Sequence, residues 1–199
     1  MKKLHDKFFK QAKREGKLAR SVYKLEELDR RERLLKRGDV VLDLGASPGS
    51  WLEYIIERIG SGGIAYAVDL KPINKKFKSR VYFKKMNVLE MKGDEFPEIV
   101  DGFDVVLSDM APNTSGIKIV DQARSLELCE KAVEIAKRIL KSGGCMVCKI
   151  LYGPDTEHFR ASLAKDYDTV KIRKPDASRD ESTETYVLAL GFIPPEKRK

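Results

Sequence analysis

The sequence predicts an α/β protein whose mostly parallel sheet is covered by helices on both faces. Two observations carry this. Short apolar runs alternate with longer amphipathic stretches along the chain, which is the pattern of repeated strand–helix units. The 199 residues, 42% hydrophobic and 35% charged, suit one core, being too apolar for a disordered chain and too interrupted for a membrane protein. A single domain over 1–199 is expected, with a basic helical extension over 1–38, a core over 39–193 and a charged tail over 194–199.

Taken in order, residues 4–37 read as helical and basic, with Val22, Leu25 and Leu28 at helical spacing and Ser21 as a cap. Val40–Leu44 is a buried parallel-type strand, and Gly45 to Gly49 turn the chain. Trp51–Ile59 is an amphipathic helix stopped by Gly60. Further strands follow at Ile64–Leu70, Val81–Lys85 and Phe103–Ser108. The longest helix covers 120–140, with Leu126, Cys129, Val133, Ala136 and Leu140 on one face and Gly143-Gly144 as its stop. Cys145–Leu151 is a strand, His158–Ala164 a helix, and Thr169–Arg173 and Thr185–Gly191 are the last strands.

Charge is unevenly placed. Residues 1–38 hold 14 Lys+Arg against 6 Asp+Glu, whereas 39–199 hold 25 of each. A basic leader before a neutral body points to a polyanion, nucleic acid first. A solubilising tail fits the composition equally well. No run approaches the ~20 apolar residues of a membrane helix, and the start is not a secretory signal, so a cytoplasmic protein is expected. Cys145 and Cys148 form C-x-x-C inside an apolar run, which reads as buried small hydrophobes rather than a redox or zinc pair. Three cysteines without a signal suit a reducing compartment.

In sheets of this class ligands bind beyond the carboxyl ends of the strands, so the strand tips matter most. The first tip runs Asp43-Leu44-Gly45-Ala46-Ser47-Pro48-Gly49-Ser50-Trp51. Its small residues let a ligand approach backbone, and the next helix offers free N–H groups. It is neither a dinucleotide nor a triphosphate motif. The second strand ends at Asp69, placed to accept hydrogen bonds from both ribose hydroxyls of an adenosine ligand; a solvated loop acid is the plain alternative. The fourth ends Ser108-Asp109-Met110-Ala111-Pro112-Asn113, and the fifth contains Lys149 in an apolar run. A lysine there is costly unless paired or neutralised. Asp109 supplies the partner, and burial with neighbouring positive charge is how a lysine becomes a base. A strand-edge lysine reaching solvent is the alternative.

Five ordered motifs now carry a resemblance. They are Lys24 in Arg20-Ser21-Val22-Tyr23-Lys24-Leu25, the turn Asp43 to Trp51, Ser108 to Asn113, Lys149 with Gly153, and Arg179-Asp180-Glu181-Ser182-Thr183-Glu184-Thr185-Tyr186. Over Phe8 to Phe192 the chain resembles the FtsJ/RrmJ family of S-adenosylmethionine-dependent RNA 2′-O-ribose methyltransferases. The likeness is greatest to the branch acting on a uridine in the peptidyl-transferase A loop of large-subunit ribosomal RNA. The resemblance implies a Rossmann-like fold with a seven-stranded sheet and an antiparallel last strand. It implies a catalytic tetrad of Lys24, Asp109, Lys149 and Glu184. The chemistry of these residue types makes Lys149 the expected base, in its neutral form or as its proton leaves, with Lys24 depressing its pKa and the acids orienting it; alternatively Lys24 mainly holds RNA backbone. It implies S-adenosylmethionine as cofactor, S-adenosylhomocysteine as product, no metal, and cofactor contacts at Gly45, Gly49, Trp51, Asp69 and Asp109. The family's acid near the end of the third strand is here Asn87, which can still meet an adenine amino group. Ser50 stands where the family often has a second glycine.

Within this picture Lys10, Lys13, Arg14, Lys17 and Arg20 are the expected RNA-phosphate contacts. The expected partner is ribosomal RNA or the large ribosomal subunit, and the expected state is a monomer away from any membrane. The rival readings are a transfer-RNA methyltransferase with the same tetrad, a non-catalytic RNA-binding module, and a small-molecule methyltransferase.

Overall fold

The computed structural model describes residues 3–77, 80–179 and 181–197, with the side chains of residues 3–6 left aside; Asp180 of the last motif therefore lies outside the described residues, as does the end of the charged tail. The elements are helices α1 (Lys3–Arg14), α2 (Val22–Glu32), α3 (Ser50–Ile59), α4 (Lys118–Ile139) and α5 (Thr156–Ser162). The strands are β1 (Val40–Leu44), β2 (Ile64–Asp69), β3 (Val81–Lys85), β4 (Phe103–Ser108), β5 (Leu140–Leu151), β6 (Tyr167–Arg173) and β7 (Glu184–Phe192). They form one seven-stranded sheet in the order β3-β2-β1-β4-β5-β7-β6. The first five strands pair in parallel, and β7 runs antiparallel to both β5 and β6. The expected class is borne out.

Each face of the sheet carries its own core. On one, Leu25, Leu28, Leu34 and Leu35 of the leader and Trp51, Leu52, Ile55 and Ile59 of α3 bury against Val41, Val105, Val147 and Leu188. On the other, Cys129, Ala132, Ile135 and Ala136 of α4 and Phe159 of α5 cover Leu44, Val106, Met146 and Val187. Alternate strand residues therefore serve opposite cores, which is why these strands read as unbroken apolar runs. Cys148 faces the α4 side while Cys145 packs with the α3 side, so the C-x-x-C pair is split across the sheet. Burial pushes the Cys145 thiol up to about 12.

The leader differs in detail from one basic helix. It breaks at residues 15–21, and α1 returns onto α2 through Phe8 and Tyr23, ring centroids 5.7 Å apart, with Ala12, Val22 and Ala177. Ser21 stands at the start of α2 but makes no side-chain cap; its hydroxyl meets Ser50 Oγ at 2.7 Å, and its carbonyl accepts from Trp51 Nε1–H at 2.9 Å. Behind it Asp29 is buried and gathers three donors: Leu35 N–H, Tyr54 O–H and Arg58 Nε–H, at 2.8–2.9 Å. Glu32 pairs with Lys171 and Arg173 of β6.

Gly143-Gly144 do not stop the long helix. It ends at Ile139, and Leu140 already pairs with Phe103 before a register shift to Val105 opposite Cys145. The glycines lie in the extra chain this irregularity accommodates. The leader's second helix ends at Glu32, short of the expected 37, and the other element ends agree with expectation or differ by one or two residues, as end turns do.

Candidate active site

β1 and β4 are neighbours whose connections leave in opposite directions, and beyond their carboxyl ends lies a cavity of about 320 Å³. Gly45, Ser47, Asp69, Asn87 and Asp109 line it, with Met86, Val88, Met110 and Leu128 as an apolar wall. Gly45 has φ +79°, and a Cβ there would come within 2.8 Å of Met110 Cγ and 3.1 Å of its backbone. Only glycine lets the two loops close this way. Gly49 has φ +103° and opens α3.

Asp69 uses both oxygens on backbone: Oδ2 accepts from Ser47 N–H at 2.8 Å and Oδ1 from Lys71 N–H at 2.7 Å. This fixes the carboxylate and leaves lone pairs for a ligand's hydroxyls. Asn87 caps the turn Val88–Glu90 through Oδ1 and reaches Glu90 through Nδ2. Gly49 and Trp51 do not line the cavity. The Trp51 indole is buried between the leader and Tyr186, 5.9 Å between ring centroids, and serves the packing of α2. Its backbone N–H, in the first turn of α3, has no acceptor within the helix.

Sequence reasoning missed Asp43. It is fully buried and, among the described residues, neither oxygen has a hydrogen-bond partner. Burial raises its carboxyl well above the ordinary value of 3.8, and the charges of Asp109 and Asp69 raise it further. An orphan carboxyl beside the cavity is suited to a cationic ligand group. The available signal was a charge inside an apolar strand, the one that singled out Lys149. The folded state binds this proton more tightly than the unfolded chain, so stability falls as pH rises from about 3.8 through the folded value. Asp43→Asn is expected to remove that slope and to melt above the wild type at pH 7; unfolding curves from pH 4 to 8 check it, and parallel curves for the two proteins refute it.

The four tetrad positions come together at the edge of the cavity. Asp109 follows the β4 tip and Lys149 sits on β5 next to it, since Ser108 pairs with Cys148. Lys149 Nζ lies 3.0 Å from Asp109 Oδ1 and donates to the Asp109 carbonyl at 2.6 Å. Lys149 faces Tyr186 across the antiparallel pair, and Glu184 faces Leu151, so Glu184 and Tyr186 share a side of β7. Lys24, 6% exposed on α2, reaches across 160 residues of sequence to pair with Glu184. Burial alone would raise the Glu184 carboxyl; the ammonium groups of Lys24 and then Lys149, with the Ser178 hydroxyl, outweigh it and hold it below the usual range.

Two further residues complete the cluster. Tyr186, fully buried, donates to Asp109 Oδ1 at 2.8 Å and lies 3.4 Å from Glu184 Oε1, bridging the two acids. Burial, then Asp109 and Glu184, raise its phenol far enough to keep it neutral. Ser178 Oγ donates to Glu184 at 3.2 Å. At the rim, burial and then the nearby Arg179 guanidinium disfavour the charge on Arg20, while Glu184 favours it, which places both arginines beside the tetrad. Lys10, Lys13 and Arg14 are exposed on the leader, and Lys17 is half-buried.

The profile of the FtsJ-like methyltransferases matches residues 18–192. The chain belongs to the FtsJ-like methyltransferase family. Among curated relatives, it is 45% identical over 195 residues to Ribosomal RNA large subunit methyltransferase E of Nitratidesulfovibrio vulgaris, covering 96% of this chain and 95% of that one. The protein of the same name from Bdellovibrio bacteriovorus is 44% identical over 188 residues, 93% of this chain and 95% of that one. Among solved structures, a ribosomal RNA methyltransferase of Plasmodium falciparum superposes with a TM-score of 0.78 at 26% identity, covering 88% of this chain and 98% of that one. The FtsJ-like match spans both ends of the tetrad, Lys24 and Glu184, and the fold and enzyme class expected from the motifs are borne out.

Proposed function

We propose that this FtsJ-like methyltransferase transfers a methyl group from S-adenosylmethionine to a ribose 2′-hydroxyl of large-subunit ribosomal RNA, the target being a uridine of the peptidyl-transferase A loop. We read residues 1–199 as one unit acting as a cytoplasmic monomer. The observation that carries the reading is the convergence of Lys24, Asp109, Lys149 and Glu184, drawn from a helix, two strand ends and a third strand, beside a cavity suited to an adenosine-type ligand. The names of the curated relatives support ribosomal RNA as acceptor. A pure RNA-binding module has no use for two buried lysine–carboxylate pairs, which cost desolvation. A small-molecule enzyme has no use for the basic leader.

The cavity fits the cofactor. Asp69 would take the ribose hydroxyls, Asn87 the adenine edge, the Met86–Val88–Met110–Leu128 wall its face, and Asp43 and the amino end of α3 the methionine end. When bound, S-adenosylmethionine supplies a methyl already activated on a sulfonium. The acceptor is the difficult partner, because a ribose hydroxyl is a poor nucleophile at neutral pH. Lys149, once its Nζ is neutral, takes the hydroxyl proton there, and the ammonium so formed is held by Asp109. The two acceptors on Asp109 hold that nitrogen in place. Asp109 is itself held by Tyr186, and Lys24 with Glu184 sets the local charge. The burial of Lys24 and its pairing with Glu184 favour a role in this charge balance over a grip on RNA backbone. No metal is called for in this reading.

The test is incubation with methyl-labelled cofactor and, separately, isolated large ribosomal subunits, protein-free ribosomal RNA and transfer RNA, followed by mapping of the labelled nucleotide. Label on a 2′-oxygen of large-subunit RNA is expected. Label confined to transfer RNA would move the substrate to the rival class, and no label on any RNA would end the reading.

A further inference from the structure

Residues 39–199 are neutral in sum but not in distribution. Between Asp69 and Glu90 the chain carries seven basic residues and no acidic one, so the remainder of 39–199 has 18 Lys+Arg against 25 Asp+Glu. The positive charge of the molecule therefore sits in two segments, the leader and the β2–β3 connection with β3. Lys78 of the second segment lies outside the described residues.

The fold brings the two segments together. Past β2 the chain lies over the first turn, where Ser47 Oγ–H reaches the Pro72 carbonyl at 3.4 Å. Ile73 and Phe77 press to 3.1 and 3.2 Å from the point where a side chain on Gly49 would begin, with Leu18 of the leader at 3.5 Å. One carboxylate joins them: Glu53 accepts from Leu18 N–H at 3.3 Å with Oε2 and pairs with Lys75 through Oε1. The second segment also borders the cavity, whose lining includes Leu70 and Lys71. Strand β3 then returns toward the cavity along the edge of the sheet, with Lys85 opposite Asp69, and Tyr82, Phe83, Lys84 and Lys85 are all exposed. Lys84 is held over Phe96 and by the Glu95 carbonyl. Lys76, Arg80 and Lys85 are exposed and make no ion pair among the described residues.

We infer that this second basic segment is an RNA-backbone surface, continuous with the leader across Glu53, so that the substrate is gripped on two sides of the cavity. The inference rests on the RNA reading above. Like charges crowded without acids destabilise a compact state, and a polyanion relieves them. Basic residues interleaved with exposed rings, here Tyr82 and Phe83, are the composition of a surface that follows phosphates while bases stack. Adjacency to the cavity selects RNA as the polyanion, because the acceptor ribose must meet the cofactor's methyl at the tetrad edge of that cavity.

The test uses the full chain with Lys76→Gln, Arg80→Gln and Lys85→Gln combined, which touch neither the cavity lining nor any ion pair described above. Affinity for protein-free large-subunit ribosomal RNA is measured over a range of salt. Each lost phosphate contact flattens the log–log salt dependence by about 0.7–0.9, so the slope is expected to be shallower by about 2–3. Cofactor affinity and the melting midpoint should match the wild type, and the charge-keeping combination Lys76→Arg, Arg80→Lys, Lys85→Arg should keep the wild-type slope. A wild-type slope in the glutamine variant overturns the inference while leaving the proposed reaction standing. Loss of binding to phosphatidylserine-containing vesicles, with the RNA slope unchanged, overturns it in favour of a membrane surface. Absence of methyl transfer by the wild type to any RNA is the distinct failure of the underlying reading.

Discussion

Lys149→Ala is expected to slow methyl transfer by about 10²–10⁴-fold at saturating RNA, the range a general base supplies. The cofactor should bind as before, because Lys149 does not line the cavity. The loss should therefore fall on kcat. Lys149→Arg sharpens the test. A guanidinium keeps the positive charge and can still pair with Asp109, but it does not release its proton in a protein. If the role of Lys149 is to take a proton, arginine rescues the fold and the charge balance and not the rate. Wild-type turnover in the alanine variant would remove the base assignment; wild-type turnover in the arginine variant would leave only an electrostatic role. Lys24→Ala separates the remaining possibility, since loss of RNA affinity alone, with kcat kept, would make Lys24 a binder despite its burial.

The largest expected effect on stability belongs to Asp29→Ala. Leu35 N–H and the Tyr54 hydroxyl lose their shared acceptor, and the Arg58 guanidinium its partner. Leaving a buried donor unpaired costs about 1–3 kcal/mol, and breaking a buried pair about 3–5. Arg58 is half-exposed and can turn to water, so about 3 kcal/mol is expected for the whole change. In a chain of this size that lowers the melting midpoint by roughly 6–12 °C. The loss falls where α2 meets α3, the contact that holds Lys24 to the tetrad, so RNA methylation should decline more than cofactor affinity. Denaturant unfolding checks the first part, and a change within 0.5 kcal/mol of wild type, the usual span for a neutral surface substitution, would refute it.

Much of this site is legible in the chain alone because its signals are local. The strand tips show as short apolar runs that stop at turn residues, and Asp69, Asp109 and Lys149 stand at or within those runs. Lys149 is conspicuous because a charge among apolar neighbours demands a partner, and parallel register then supplies Asp109. The same local logic reaches Asp43, a charge inside the apolar run of β1 as well as the start of a turn motif.

What the chain could not disclose depends on contacts between distant segments. That Trp51 turns inward to hold Ser21, rather than lining the cavity, follows from where α2 docks. That Tyr186 bridges two acids follows from the antiparallel register of β5 and β7. That Gly143-Gly144 leave the helix untouched follows from a shift in the β4–β5 pairing. A basic leader alone does not reveal that a second basic segment meets it at Glu53. The sequence by itself determined the fold class, the strand tips and the residue types at the reacting centre, because periodicity and burial preference act over a few residues. Only the tertiary structure decided which charges pair, which stay unpaired and which positive segments adjoin, because those are set by approach across the fold and by the desolvation that comes with it.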